Sequence, residues 1–90
     1  MYSAELKIPD GKLIRIKFSM KDNKIEDIKI TGDFFLHPED GLEELERKLR
    51  GVEIEFDALQ NTIHDFFNKE FFLIGAKPED IIRTILLAKK

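Results

Sequence analysis

Ile28-Lys29-Ile30-Thr31-Gly32-Asp33-Phe34-Phe35-Leu36-His37-Pro38 is the stretch in which the chain changes character. Before it, apolar and polar residues alternate as in half-buried strands; after it, apolar residues recur at helical spacing. Strand geometry up to Thr31 followed by a proline and two acids, Pro38-Glu39-Asp40, predicts a sheet that gives way to helices.

Working back from that stretch, Tyr2, Ala4, Leu6 and Ile8 alternate with polar residues, and so do Ile14, Ile16, Phe18 and Met20 with the residues between them. Each set defines the apolar face of a strand. Pro9-Asp10-Gly11 between them reads as a three-residue hairpin loop, with proline presetting the turn and glycine taking a left-handed position. That loop pairs Leu6 with Ile14, Ala4 with Ile16 and, on the outer face, Glu5 with Arg15. Lys21-Asp22-Asn23 reads as a second loop of the same length, with Asn23 left-handed. It predicts Ile28 opposite Ile16, Ile30 opposite Ile14 and Lys17 opposite Asp27, and it turns Ile25 outward.

Working forward, Pro38 suits a first helical position, and Leu42, Leu45 and Leu49 supply an apolar stripe. Arg47, Lys48 and Arg50 suit the negative end of that helix, and Gly51 suits a left-handed cap. Asp57 reads as the cap of a second helix carrying Leu59, Ile63, Phe66 and Phe67. Phe71-Phe72-Leu73-Ile74 is apolar all round and stops at Gly75. Pro78-Glu79-Asp80 opens a third helix carrying Ile81, Ile82, Ile85 and Leu86. The expectation is one α+β domain over residues 1–90, a three-stranded antiparallel meander with three helices on one sheet face. Strands fall at about 2–9, 12–20 and 25–31, and helices at about 38–50, 57–69 and 78–88.

Composition narrows the chemistry. A hydrophobic fraction of 42% suffices for one core, and charges of both signs are interspersed to a formal net of -3. No basic stripe suits a phosphate backbone, so nucleic acid is not an expected partner. No apolar run approaches the roughly 20 residues that span a bilayer, and Met1-Tyr2-Ser3-Ala4-Glu5 lacks the pattern of a signal peptide, so the expected location is cytoplasmic. Without cysteine there are no thiolate metal sites, persulfide carriers or cysteine nucleophiles. His37 and His64 lie on different expected elements and have no second imidazole one turn away, so no metal site is expected. No phosphate loop or nucleophile elbow is present, and no catalytic residue is assigned. The carboxylates Glu39, Asp40, Glu43, Glu44 and Glu46 read as a solvated helix face.

Within Gly32-Asp33-Phe34-Phe35 the parities divide the two rings. Phe34 continues the inward row of Ile28 and Ile30, whereas Phe35 has the opposite parity and suits a contact outside the chain. Gly32 permits close backbone approach, and Asp33 suits a carboxylate that organises the crossover.

Lys24-Ile25-Glu26-Asp27-Ile28-Lys29-Ile30-Thr31-Gly32-Asp33-Phe34-Phe35-Leu36 with Pro38-Glu39, together with Gly11-Lys12-Leu13-Ile14-Arg15, Leu42-Glu43-Glu44-Leu45-Glu46 and Leu49-Arg50-Gly51-Val52, resembles the accessory domain of lipoate-protein ligases. The match is clear over about residues 5–52, and the Pro78-Glu79-Asp80-Ile81 helix start is compatible with the end of that domain. In bacterial ligases the domain is fused behind a catalytic domain. A separate chain of this kind resembles the archaeal split form, in which a small accessory subunit and a large catalytic subunit together activate lipoate with ATP. The resemblance implies a non-catalytic subunit in a heterodimer, required for forming lipoyl-AMP and much less so for transfer to a lysine of lipoyl-domain acceptors. It places ATP, Mg and lipoate in the partner, none bound by this chain, and makes Gly32, Asp33, Phe34 and Phe35 the partner-contact or loop-organising residues. The same small fold is similar to iron-sulfur scaffold proteins, whose chemistry needs cysteine. The alternative is therefore a stand-alone interaction module of that fold without sulfur chemistry.

Overall fold

A computed structural model describes residues 1–9, 12–67 and 71–89. In chain order the elements are β1 (Tyr2–Lys7), β2 (Leu13–Lys21), β3 (Lys24–Gly32), β4 (Phe35–His37), α1 (Gly41–Leu49), α2 (Phe56–Phe67), β5 (Phe72–Ile74) and α3 (Pro78–Lys89). The first three strands form an antiparallel sheet in the order β1-β2-β3, and β4 and β5 form a separate antiparallel pair. The α+β architecture is as the alternation and helical spacing predict. The β4–β5 pair is an addition to it.

The first hairpin has the expected register, with Ala4 opposite Ile16, Glu5 opposite Arg15 and Leu6 opposite Ile14. Arg15 and Glu5 form an ion pair at 3.3 Å. The loop residues Asp10 and Gly11, on which a left-handed glycine was expected, lie outside the described residues.

The second hairpin differs from expectation. Lys21 pairs with Lys24, so the turn has two residues, Asp22 and Asn23, both left-handed at φ 55° and 62°. Asp and Asn tolerate this conformation, and a two-residue turn of that hand matches the sheet twist. The register then shifts between Ser19 and Met20: Met20 faces Ile25 and Ser19 faces Asp27, leaving Glu26 as a bulge. Turn and bulge together put Ile16 opposite Ile30 and Phe18 opposite Ile28, two residues from the expected pairing. Lys17 therefore faces Lys29, and Asp27 is held instead by Arg50 at 3.0 Å.

The bulge also corrects the expected direction of Ile25, which is 1% exposed. Burying an isoleucine is worth about 1.5–3 kcal/mol, whereas an exposed ion pair such as Lys17 with Asp27 is worth about 0–1 kcal/mol. The bulge lets Ile25 and Ile28 both point inward, and that gain decides the register over the charge pairing.

The free edge of β3 is covered by the chain that follows. The Ile30 N–H donates to Glu46 Oε2 of α1 at 2.8 Å, and the Ile25 N–H donates to the Val52 carbonyl at 3.0 Å. Gly51, left-handed at φ 84° as expected, returns its N–H to the Ile25 carbonyl. Pairing of a sheet edge in this way removes a template for aggregation.

Two helix starts also differ. Because the chain remains extended through His37, Pro38, Glu39 and Asp40 make a turn closed by a bond from the Gly41 N–H to the Pro38 carbonyl, and α1 begins at Gly41. Helix α2 begins at Phe56, with Asp57 inside its first turn and the Leu59 N–H bonded to the Glu55 carbonyl. Residues 68–69, expected at its end, lie outside the described residues. In α3 the expected start at Pro78 holds, and Asp80 Oδ2 accepts the Lys77 N–H at 2.9 Å.

Helix α3 lies against β1, β2 and α2, and α1 lies against β3. Their inward residues, including Leu45, Leu49, Leu59, Ile63, Ile81, Ile82 and Ile85, meet Ile14, Ile16, Phe18, Ile28 and Ile30 in one core. No helix among the described residues is long and apolar enough to cross a membrane.

Candidate functional site

The crossover from sheet to helices is built around Gly32. It closes β3 opposite Ile14, and a Cβ at this position would press into the Leu13 carbonyl oxygen and stand 2.7 Å from Phe34 Cε1. Only a residue without a side chain permits that approach. The next N–H, that of Asp33, then bonds the same carbonyl at 3.0 Å. The crossover is thus organised by backbone. The Asp33 carboxylate is exposed and has no hydrogen bond or ion pair among the described residues.

The two rings that follow part company. Phe34 is half-buried and packs against the core, while Phe35 is 68% exposed. Phe35 stands on β4, whose partner β5 comes from the apolar run after α2. Phe35 faces Ile74, Leu36 faces Leu73, and His37 faces Phe72. Leu36 and Leu73 form the inner side; Leu36 is buried and Leu73 half-buried.

The inner side is seated on the start of α1. Gly41 is buried, and a Cβ there would collide with Leu36 Cδ2 and lie 2.8 Å from Phe71 Cδ1. Phe71 in turn stacks on Phe66 of α2, with ring centroids 4.4 Å apart and planes at 10°. Phe66, Phe71, Leu36 and Gly41 therefore fix the strand pair to the helical layer.

The outer side presents Phe35, His37, Phe72 and Ile74 together. Phe72 is 55% and Ile74 46% exposed, and the His37 ring stacks on Phe72 at 5.5 Å. Sequence reasoning placed Phe35 outward but missed Phe72 and Ile74, because a run apolar at every position has no period from which a strand can be read. The available signal was length: a short apolar run ending at glycine suits a strand better than a helix.

A groove of about 950 Å³ opens nearby, lined by Ile8, Pro9, Gly75, Ala76 and the charged residues Lys77, Glu79, Asp80 and Arg83. Among the described residues no group of three or more His, Asp or Glu could hold a metal ion. His64 Nε2 sits 3.4 Å from Glu79 Oε1 without making a hydrogen bond, and far in sequence from His37.

Fold and surface together define a small α+β domain whose distinguishing feature is an exposed aromatic face on a strand pair beside a glycine-dependent crossover. The family described as the bacterial lipoate protein ligase C-terminus matches residues 1–85, and the chain belongs to that family. It is similar to lipoate-protein ligase A subunit 2 of Thermoplasma acidophilum, at 42% identity over 85 residues that cover 94% of this chain and 87% of the relative. It also superposes on a chain from the archaeal lipoylation system of T. acidophilum, described as a bi-partite lipoate protein ligase and its E2 lipoyl domain. That match has a TM-score of 0.84 and 40% identity and covers 94% of this chain and 93% of the other.

Proposed function

We propose that this chain is the non-catalytic accessory subunit of a two-part lipoate-protein ligase acting in the cytoplasm. The observation that carries this reading is the match along 94% of the chain to subunit 2 of an archaeal ligase. Its partner is a separate catalytic subunit, which holds ATP, Mg and lipoate; this chain binds none of them. The pair activates lipoate to lipoyl-AMP, and the lipoyl group then passes to a lysine of acceptor lipoyl domains.

A subunit of this kind accelerates adenylation by ordering its partner. Loops that are already held in the productive arrangement lower the barrier without a nucleophile from the accessory side. Gly32, Asp33, Phe34 and Phe35 supply the contact in this reading. Gly32 sets the crossover through its approach to Leu13, and Phe34 anchors the loop in the core. Asp33 and Phe35 are the exposed members and face the partner.

The test combines the purified chain with the catalytic subunit and measures lipoate-dependent pyrophosphate release. The pair forms lipoyl-AMP, and the catalytic subunit alone does so at least about tenfold more slowly. Full rate without this chain overturns the proposal, as does pyrophosphate release by this chain alone. Phe35→Ala keeps the melting temperature of the parent and lowers the pair's rate about tenfold, since exposed aromatic anchors act on the complex and not on the fold.

A further inference from the structure

We infer that the outer face of the β4–β5 pair is the surface on which the catalytic subunit docks, and that the docking site is an apolar cleft rimmed by Lys or Arg. This rests on the accessory-subunit reading and adds to it the second strand and the chemistry of the opposing surface.

Single exposed apolar residues are ordinary, but a cluster of large ones on a single face marks an interaction surface. The large hydrophobic residues exposed among the described ones are Met1, Tyr2, Phe35, Phe56, Phe72, Ile74 and Leu87. Three of them stand on this one face of six paired residues, with Phe35 directly opposite Ile74. A strand pair with its inner side on a core and its outer side in water is expected to be polar outside. Two rings and a branched chain there require a covering surface.

Charge identifies what covers it. Asp33 lies just before β4, and Glu39 and Asp40 lie just after it; all three are exposed. None of their carboxylates is paired with a cation among the described residues. Against these three acids, one exposed lysine, Lys77, lies within three residues of either strand among the described residues, so the margin is net acidic and fits a surface with an apolar centre and a basic margin. A ligase that takes up a nucleoside triphosphate and a carboxylate concentrates positive potential around its site. Of the protein surfaces in a two-part ligase, the catalytic subunit beside its substrate site is therefore the one expected to carry the complementary charge.

The test titrates this chain into the catalytic subunit and reads the concentration that gives half-maximal lipoate-dependent pyrophosphate release. Phe72→Ala raises that concentration at least about tenfold while the rate at saturation is kept. Phe56→Ala, which removes a ring 53% exposed on α2, changes it less than about twofold. Added NaCl weakens the parent pair, and the double change Glu39→Lys with Asp40→Lys weakens it further at low salt and inverts that salt dependence, since screening then relieves repulsion. A photo-crosslinking side chain at position 72 captures the catalytic subunit and one at position 56 does not, a readout that stands even if Phe72→Ala lowers the melting temperature. Equal effects at positions 72 and 56 overturn the inference, as does unchanged half-saturation for Phe72→Ala, and both leave the accessory reading intact. A parent chain that gives no stimulation overturns the accessory reading, and this inference falls with it.

Discussion

On the three-stranded sheet the residues facing away from the core are mostly polar, among them Ser3, Glu5, Arg15, Lys17, Asp27 and Lys29, with the half-buried Leu13 as an apolar member; on the β4–β5 pair they are Phe35, His37, Phe72 and Ile74. Both sheets bury one face against the same helical layer, so packing does not account for the difference. Water solvates the first outer face at little cost, and Lys17 even stands directly opposite Lys29. The second outer face is uncomfortable in water unless something covers it. An unpartnered face can therefore be recognised by comparing it with a solvent face built by the same chain.

The comparison can be broken at the core of the larger sheet. Ile16 is fully buried, opposite Ala4 on one side and Ile30 on the other. Ile16→Ala is expected to lower unfolding stability by about 2–5 kcal/mol, measured by urea titration. A loss as small as that of an outer-face variant would refute the inward assignment. The next largest effect tests how the strand pair is seated. Gly41→Ala inserts a methyl group where Leu36 and Phe71 already stand, and is expected to cost about 1–3 kcal/mol. Hydrogen exchange should then rise at the β4–β5 amides more than in the β1–β2–β3 ladder.

The smallest effect sharpens the description of the outer face. Lys29→Glu replaces a like-charge cross-strand pair with an opposite-charge one, and is expected to raise stability by about 0.2–1 kcal/mol. The gain should shrink in high salt, because the pair is exposed. Destabilisation instead would mean that position 29 faces a carboxylate and not Lys17, which is incompatible with the bulged register.

Local chemistry decided much of this protein. Alternation in residues 2–8 and 14–20 defined the first hairpin down to the Glu5–Arg15 pair, because period-2 burial and loop length constrain the same register. Gly51, Pro78 and the leucine stripe of α1 carried their meaning in the residue itself. The family was likewise legible from the Thr31-Gly32-Asp33-Phe34-Phe35 stretch and its flanks.

Tertiary structure decided what depends on residues distant in sequence. The bulge at Glu26 exists because the fold has room to bury Ile25 beside the Gly51–Ile54 segment, and no local rule foresees that space. The partner of β4 lies more than thirty residues away in Phe72–Ile74, and an apolar run has no periodicity that names its partner. Gly41 looked like one residue in a helix turn until Leu36 and Phe71 met over it. The exposed face of Phe35, Phe72 and Ile74 arises only when those two strands pair, since parity assigns a side of a strand but only packing decides whether that side meets core, water or another protein.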